Sequence, residues 1–382
     1  MQRGPVSEQP ASRAVALTRL TTHLGRGLRR VATDAALGGA RSFPRRIQDL
    51  DAATLSRIMG RTVSSVKIIG DTSGTTTRAR LALCADDVPG SVFVKMAAQT
   101  TATRLIGELG RLGETEIRFY RQLSPQLAAG VPTHLGSAFD TPTGRFVLVL
   151  EDLAAQRCEF PDTLHPFNKD QACLLVELLA QLHAGFFGRL SDRPYTWLYS
   201  GSTDPSVPLV PAMLRTSLRR LVTRTDIPVH EGDFIVEQYP TVARIIDTPP
   251  HTVLHGDAHP GNTYFRAGTA GLLDWQAVRR GHPMRDIAYT LVTSMTTSDR
   301  QACQRDLLET YRRALAACGG PELESEQLWL RYRQAAAYTY VAAAVTAGLG
   351  GMQTEDIAQA GLRLAVAALG DLETEAALRK GL

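Results

Sequence analysis

Apolar and polar positions follow two different patterns along the chain. In the first part the apolar residues form short runs of strand length, at 63–69, 80–84 and 91–96, and the first run is rich in β-branched side chains. Turn-forming residues separate these runs, so the pattern predicts an antiparallel meander. From about residue 168 onward, apolar residues recur at three- and four-residue intervals, which is typical of helices packed on a core.

Three further elements complete this prediction. A short helix is expected over 50–60, ended by Gly60, and a second helix over 114–123. An apolar run at 145–150 predicts another strand. We therefore expect an α+β fold with two lobes, a small antiparallel-sheet lobe at 43–152 and a larger, mainly helical lobe at 153–382. With 382 residues in the chain, each lobe is large enough to bury its own core.

Residues 1–42 precede this pattern and are rich in arginine. Val15, Leu17, Leu20 and Leu24 have the spacing of one face of a helix. Such a basic, amphipathic segment is compatible with a targeting peptide or with a helix that binds a membrane surface or a nucleic acid. The segment shows neither a cleavage site nor a secretory apolar stretch, so we favour a frayed extension of an enzyme.

Composition and charge narrow the class of protein. The chain is 44% apolar and 21% charged, and its net charge of +4 results from 42 basic and 38 acidic side chains. These values argue against a disordered chain and against a protein that binds nucleic acid with its whole surface. Five widely spaced cysteines without a C-x-x-C pair argue against a disulfide framework and a structural zinc site, and they favour a reducing cytoplasm.

An uncharged stretch at 334–354 has the length of a membrane span. It consists mostly of alanine, threonine and glycine, which are only weakly apolar. We therefore predict a close-packed core helix there, and no stable insertion into a membrane.

The densest group of polar residues lies between two short apolar runs. Asp257 and Asn262 stand in a segment interrupted by glycine and proline, which predicts a loop, and Asp274 ends the next apolar run. A hairpin would bring Asp274 back beside this loop. An amide oxygen and a carboxylate are ligands that suit Mg²⁺, so Asn262 and Asp274 form a candidate metal site. Asp257 is then free to accept a proton.

The string HGDAHPGN at 255–262, followed by LLDWQ at 272–276, resembles the motifs of the aminoglycoside phosphotransferase and choline kinase superfamily. These small-molecule kinases share the two-lobed, protein-kinase-like fold, and the resemblance extends over about residues 43–370. It implies that ATP binds between the lobes, that Asp257 is the catalytic base, and that Asn262 and Asp274 hold Mg²⁺. Trp275 takes the position of the phenylalanine in the D-F-G triplet of protein kinases.

The resemblance also assigns residues to the nucleotide site. Lys95, one of only four lysines, lies near the end of the third apolar run and corresponds to the lysine that holds the nucleotide phosphates. Glu116 corresponds to its ion-pair partner, with Glu114 as the competing choice. A lysine on a strand is usually a solvated edge charge, so the assignment depends on the order and spacing of these residues relative to the catalytic loop.

Further cofactor-binding residues are expected on either side of Lys95. Ser73 and Gly74 fall in the turn that would cover the phosphates, although no G-x-G-x-x-G pattern is present. The backbone groups of Leu150 and Asp152 correspond to the hinge that meets adenine. Asp286, in the segment PMRDIA, corresponds to an aspartate that supports the catalytic loop from a helix.

The histidines of the loop have a second interpretation. His255 and His259 are four residues apart, as in a zinc-binding pair, but Gly256 and Pro260 argue against a shared helical face. We therefore interpret His255 as a packing and hydrogen-bonding residue of the loop, and His183 as a structural residue.

The expected reaction is ATP + alcohol → phosphate ester + ADP, with a small hydroxylated molecule as the acceptor. Arginines at 279, 280 and 285 lie close in sequence to the metal aspartate, which makes a polycationic aminoglycoside the second choice. The segments LLDWQAVRRG and FPRRIQDLD look most like the ecdysteroid-kinase-like branch, which does not define a substrate. An aminoglycoside or other antibiotic phosphotransferase is therefore the alternative function.

A nucleotide-binding pseudokinase is less favoured, because Lys95, Asp257, Asn262 and Asp274 are all present. We expect no nucleic-acid partner. The identity of the acceptor, the oligomeric state, the role of the arginine-rich start and the choice between ATP and GTP stay open at this point.

Overall fold

A five-stranded antiparallel sheet dominates the first part of the computed structural model, which describes residues 13–74, 76–85, 89–190 and 195–382. Its strands are β1 (Val63–Ser73), β2 (Thr76–Ala85), β3 (Ser91–Ala97), β4 (His134–Asp140) and β5 (Arg145–Glu151). They are arranged in the order β1-β2-β3-β5-β4. The first three form the predicted meander, whereas β4, which the sequence pattern does not predict, pairs with β5 at the edge of the sheet.

The helices around this sheet are α1 (Arg13–Leu37), α2 (Ala52–Met59), α3 (Thr101–Leu109) and α4 (Leu112–Arg118). Asp51 caps α2 by accepting a hydrogen bond from the backbone N–H of Thr54 at 2.7 Å, and Gly60 ends it in the left-handed conformation with φ 65°. The helix expected over 114–123 is confirmed, in two forms: α4 ends at Arg118, and 119–123 continue as a π-helical turn. Apolar spacing alone does not distinguish these two helical forms.

Helix α1 corrects the expectation of a frayed extension. Leu20 and Val31 are buried, and Arg30 Nη1 lies 3.1 Å from Glu108 Oε2 on α3. Asp34 Oδ1 accepts a hydrogen bond from Arg145 Nε on β5 at 2.6 Å. Local composition could not predict this docking, because the partners are supplied by distant segments. Residues 1–12 of the arginine-rich segment lie outside the described residues, and the boundaries at 42 and 152 stay predictions.

The second part of the chain is mainly helical. Its helices and short strands are, in order, α5 (Lys169–Ala184), α6 (Val210–Leu221), α7 (Asp233–Glu237), α8 (Tyr239–Ile246), β6 (Thr252–Leu254), β7 (Thr263–Arg266), β8 (Thr269–Leu272), β9 (Arg279–Gly281), α9 (Met284–Ser294), α10 (Thr297–Ala317), α11 (Ser325–Leu349), α12 (Glu355–Asp371) and α13 (Thr374–Arg379). Strand β6 pairs with β9 and β7 with β8, both antiparallel. A small antiparallel sheet followed by a larger helical part confirms the predicted α+β fold class.

Helix α11 contains most of the uncharged stretch at 334–354 and packs against α6, α9 and α12. Ala335, Ala336 and Ala337 are buried in it. Gly348 lies so close to α6 that an added Cβ would be 2.4 Å from the Cβ of Ser217, so only a glycine fits this helix contact. Among the described residues, no helix is both long and apolar enough to span a membrane.

The largest apolar core connects the two parts of the chain. Phe119 and Tyr120, which follow α4, belong to the same buried cluster as Trp275, Leu179 on α5 and Met284 on α9. Movements of α4 are therefore coupled by direct packing to the segment that carries Asp274 and Trp275.

Candidate active site

Lys95 lies at the centre of a buried group of charges. On β3 its register partners are Arg78 of β2 and Leu148 of β5, which places it in the interior of the sheet. Its Nζ atom is 2.7 Å from Glu116 Oε2 on α4 and 2.7 Å from Asp274 Oδ1. The lysine therefore links the sheet, α4 and the segment after β8, and Glu116 is its helical partner.

Glu114 lies on a different face of α4 and contacts arginines. Arg30 Nη1 is 3.0 Å from its Oε2 atom, and Arg111 and Arg118 lie 3.0 and 2.8 Å from its Oε1 atom. Burial raises the pKa of Glu114, but the charges of Arg111 and Arg118 outweigh this effect and lower the pKa to about 2. The two candidate glutamates thus have separate partners, arginines for Glu114 and Lys95 for Glu116.

Asp274 has an unusual backbone conformation for a residue with a side chain, with φ 57° and ψ 62°. The left-handed region costs a non-glycine residue about 1 kcal/mol, and here it is compatible with a carboxylate that faces Lys95. Its second oxygen, Oδ2, accepts a hydrogen bond from Arg78 Nη2 at 3.2 Å. Burial raises the pKa of Asp274, but Lys95 and Arg78 more than compensate, so the pKa lies below its ordinary value and the group is ionised.

The loop between β6 and β7, which contains the predicted base Asp257, is held by Asp286, which lies in the first turn of α9. The two oxygens of this buried carboxylate accept hydrogen bonds from the backbone N–H groups of His255 and Gly256, at 2.7 and 2.9 Å. Gly256 has φ 84°, and an added Cβ would lie 2.3 Å from Ala277 O, so the loop requires glycine there. Asp286 therefore occupies the supporting position that the family resemblance implies, and His183 Nε2 lies 3.4 Å from it.

His255 is enclosed by the loop, and both of its ring nitrogens are occupied. Its Nδ1 atom accepts a hydrogen bond from the backbone N–H of Asp257 at 3.2 Å, and Nε2 lies 2.8 Å from Leu273 O, which assigns the proton to Nε2. Burial lowers the pKa of His255 and keeps it neutral. These contacts leave no nitrogen for the zinc pair with His259, and they fit the hydrogen-bonding role predicted for His255.

Asp257 is held by neutral donors. Tyr289 Oη donates a hydrogen bond to Oδ1 at 3.0 Å, and Asn262 Nδ2 donates to Oδ2 at 3.1 Å. The Asp257 side chain is 31% exposed, so one side of the carboxylate is open to solvent. Sequence reasoning missed Tyr289, because it lies 32 residues away on a helix whose apolar pattern explains its burial without a second function.

A cavity of about 350 Å³ lies beside Lys95, within the usual range for sites that bind small molecules. Phe93, Leu150, Leu153 and Phe160 give it an apolar wall. Polar and charged groups from both parts of the chain form the rest, and they include Lys95, Glu116, Asn262, Asp274, Arg78 and Arg80. The cavity therefore combines surface for a flat ring with groups that attract phosphate and metal.

The predicted hinge and phosphate-covering turn differ in how far they reach this cavity. Leu150 and Asp152 line it, but the Asp152 side chain is occupied by Arg80 Nε at 3.0 Å and Ser91 Oγ at 2.7 Å. Thr72 lines the cavity, whereas Gly74 does not and donates its N–H to Thr76 O at 3.0 Å. The side chain of Ser73 lies outside the described part of the chain.

Arg78 and Arg80 are site residues that sequence reasoning missed. Both lie on β2 and line the cavity, and each contacts an aspartate from outside its own strand, Asp274 and Asp152 respectively. Their alternation along β2 places them on one face of the sheet, and this was the available signal.

The sequence profile of the phosphotransferase enzyme family matches residues 95–320 of the chain. Among solved structures, choline kinase from Cryptosporidium parvum Iowa II has a TM-score of 0.52 at 10% sequence identity, with 83% of this chain and 92% of that chain covered. A GDP complex of a mutant aminoglycoside 2′-phosphotransferase-IIIa has a TM-score of 0.51 at 12% identity, with 81% and 93% covered. These two likenesses show that the fold is shared.

A choline/ethanolamine kinase family protein from Mesorhizobium loti has 16% identity and a TM-score of 0.49, with 86% of this chain and 98% of that chain covered. No curated protein sequence matches the chain significantly.

Proposed function

The chain belongs to the phosphotransferase enzyme family, and from this premise we propose that it transfers the γ-phosphoryl group of ATP to a hydroxyl group of a small molecule. The observation that carries the proposal is the position of Lys95, Asn262 and Asp274 around one cavity, with Asp257 beside Asn262. These are the residue types that phosphoryl transfer requires for phosphate binding, metal binding and proton acceptance.

For the nucleotide, we assign adenine to the apolar wall formed by Phe93, Leu150 and Leu153, and the phosphates to Lys95 and Arg78. A cationic pair beside an apolar slot fits a molecule that carries a flat ring at one end and negative charge at the other. The same wall would accept guanine, so the assay below decides whether ATP or GTP is preferred.

Mg²⁺ fits the donor set of this site. Asp274 is ionised and Asn262 offers an amide, both oxygen ligands of the kind that Mg²⁺ prefers. The described residues contain no group of three or more His, Cys, Asp and Glu side chains that could hold a metal by themselves. Two protein ligands are sufficient, because Mg²⁺ usually completes its shell with phosphate oxygens and water. When bound, the metal neutralises charge on the transferring phosphoryl group.

Asp257 acts as the base. Its carboxylate takes the proton of the acceptor hydroxyl as the acceptor oxygen bonds to the γ-phosphorus and the bond to the β-phosphate oxygen breaks, which releases ADP. Tyr289 and Asn262 fix the orientation of the carboxylate by their hydrogen bonds. Because the transition state is loose, positioning and electrostatics supply most of the rate enhancement.

The surroundings of the base favour an uncharged acceptor. Tyr338 donates a hydrogen bond to Gly256 O at 2.8 Å, and its ring lies 5.6 Å from that of Tyr289. The buried guanidinium of Arg285 stacks on the Tyr338 ring with 3.7 Å from Cζ to the ring centroid. The aromatic face that would attract an ammonium group is therefore already occupied by a cation of the protein.

Two further carboxylates in this part of the chain, Asp247 and Asp204, are already engaged by groups of the protein. Asp247 accepts hydrogen bonds from the backbone N–H groups of Gly201 and Ser202 at 3.1 and 2.9 Å. Asp204 Oδ2 lies 3.8 Å from Arg279 Nη1. A polycationic aminoglycoside or a choline-like cation finds no free carboxylate among these groups, so we favour a sugar, polyketide or steroid alcohol, in line with the ecdysteroid-kinase-like branch.

The test is a measurement of ADP release with Mg·ATP or Mg·GTP across a panel of sugars, hydroxy acids, polyketides, steroids, amino alcohols and aminoglycosides. The Asp257→Ala protein serves as the blank. Acceptor-dependent ADP release and a product heavier by one phosphoryl group are the expected result with an uncharged alcohol. Highest turnover on an aminoglycoside would establish the antibiotic alternative, and nucleotide binding without turnover on any member would establish a pseudokinase.

We assign the reaction to the cytoplasm. Cys84, Cys158, Cys173, Cys303 and Cys318 are free thiols, which a reducing compartment preserves. The proposed reaction needs the nucleotide and a small acceptor, and no nucleic acid.

A further inference from the structure

Helix α1 lies outside the segment that matches the family profile, yet it is attached to the nucleotide-binding part at several charged points. His23 Nε2 lies 2.7 Å from Leu109 O at the end of α3. Arg30 Nε donates to Thr141 O at 3.1 Å, and Asp34 forms ion pairs with Arg104 and Arg145. Buried ionic contacts of this kind fix a geometry, because each charge becomes costly when its partner is removed.

The densest of these contacts is at Glu114 on α4. Arg26 and Arg30 of α1 reach its Oε2 atom at 3.2 and 3.0 Å, while Arg111 and Arg118 of its own segment reach Oε1. The Arg30 side chain is only 6% exposed. The carboxylate thus joins two helices that are far apart in sequence.

The side chains of Glu114 and Glu116 lie on nearly opposite sides of the same short helix. Successive residues of an α-helix are about 100° apart, so two residues separated by one position face nearly opposite sides. Accordingly, Glu114 contacts α1 and Glu116 contacts Lys95. Helix α4 has only seven residues, too few to be stable alone, so its position depends on what contacts both faces.

We infer that Arg26 and Arg30 of α1 are positioning residues for phosphoryl transfer, which act through Glu114 to hold Glu116 against Lys95. The inference rests on the proposed function. Neither arginine contacts a reacting atom. When α4 is released, Lys95 loses Glu116 and keeps Asp274 as its remaining carboxylate partner, at 2.7 Å. The ammonium then competes with Mg²⁺ for the proposed metal ligand.

A loss of α1 contacts therefore has a specific signature, namely a higher requirement for Mg²⁺. The experiment uses the full chain and the double variant Arg26→Gln/Arg30→Gln. Binding of ATP is followed by calorimetry at increasing Mg²⁺ concentration, and turnover is followed with the acceptor found in the panel. The matched control is Arg19→Gln/Arg29→Gln, which removes the same charge from two exposed residues of α1 that form no ion pair within the described residues.

We expect the double variant to need at least about fivefold more Mg²⁺ for half-maximal ATP binding, which is the lower end of ordinary coupling between sites. The kcat value falls as well, and the control behaves as wild type. The single variant Arg30→Lys, which keeps the charge, should retain most of the wild-type response to Mg²⁺. Arg26→Gln alone is the milder variant if the double variant does not fold, and a smaller shift in the same direction is expected for it.

Two negative results have different meanings. If wild type binds Mg·ATP and a folded Arg26→Gln or double variant binds it at the same Mg²⁺ concentration and with the same kcat as the control, the inference is overturned and α1 is only a structural cover. If wild type itself binds no Mg·ATP at any Mg²⁺ concentration, the proposed function fails.

Discussion

The proposed phosphate side of the site and its proposed base side are held in different ways. On the phosphate side, Arg78, Asp274, Lys95 and Glu116 form a continuous chain of ion pairs with distances of 2.7 to 3.2 Å. Lys95 and Glu116 are buried, whereas Asp274 and Arg78 are partly exposed, and the two positive and two negative charges balance one another. Binding of a metal and phosphates therefore exchanges one set of ionic contacts for another, and the desolvation cost has largely been met by folding.

On the base side, Asp257 is oriented by a hydroxyl and an amide, and His259 Nε2 lies 3.9 Å from its Oδ2 atom. Neutral hydrogen bonds fix direction without neutralising the carboxylate. On the proposed assignment, phosphate binding and proton acceptance therefore depend on largely different groups, with Asn262 as the residue that belongs to both. Substitutions on the two sides should therefore affect different measurements.

The largest effect is expected for Asp257→Asn. The amide keeps the shape and one of the two accepted hydrogen bonds but cannot take a proton, so phosphoryl transfer should fall by about 10²- to 10⁴-fold. Calorimetry should show little change in Mg·ATP binding. A variant that lost nucleotide binding would place Asp257 among the metal ligands, and one with near wild-type turnover would exclude it as the base.

Lys95→Ala should have the next largest effect. It removes a preorganised cation from the phosphates, and the loss of one such group typically lowers kcat by about 10²- to 10³-fold. Binding of the acceptor, measured without nucleotide, should survive because Asp257 has no contact with Lys95. Lys67→Gln, a charge loss at an exposed position of β1, is the control. Wild-type turnover in Lys95→Ala would reduce the lysine to a structural charge.

Asp274→Ala tests the metal site through thermal stability. A ligand at 100 times its Kd stabilises a folded protein by about 2.7 kcal/mol, so Mg·ATP should raise the melting temperature of wild type. The part of this increase that requires Mg²⁺ should disappear in the variant, while the part seen with ATP and EDTA remains. An equal metal-dependent shift in both proteins would remove Asp274 from the metal site.

The smallest effect is expected for Arg78→Gln. Its side chain is 39% exposed, and partly solvated cations contribute less than buried ones. We expect KM for ATP to rise about threefold with kcat nearly unchanged, which is the result of losing binding energy common to ground and transition states. A large fall in kcat would instead show that Arg78 stabilises the transition state, and phosphate binding and catalysis would then not be separable at this residue.

The residues of the loop motif could be predicted from the sequence more easily than the residues that hold them in place. Asp257, Asn262 and Asp274 lie within 18 residues in a recognisable motif, and local turns fix much of their geometry. Tyr289 and Arg78 contact Asp257 and Asp274 across 32 and 196 residues, and Arg26 contacts Glu114 across 88 residues. No periodicity or motif encodes such pairs, because they exist only once the parts of the chain are packed together.

Other misses have local causes. Strand β4 has intermediate exposure at nearly every position, so it shows neither alternation nor a fully apolar run. Helix α3 buries Arg104 and Glu108, polar residues that a pattern based on hydrophobicity assigns to the surface. In both cases burial is decided by partners elsewhere in the chain.

The packing of Trp275 gives the segment after β8 its own optical signal. Its indole lies parallel to the Phe119 ring, with 3.9 Å between centroids and 6° between planes, next to Asp274. A rigid, buried indole gives a strong near-ultraviolet circular dichroism signal, which is lost when tertiary packing loosens. With Trp197 and Trp329 replaced by phenylalanine, the circular dichroism of Trp275 would report on the packing of the segment after β8 without any label. Because Phe119 directly follows α4, the same signal would also respond to movements of that helix.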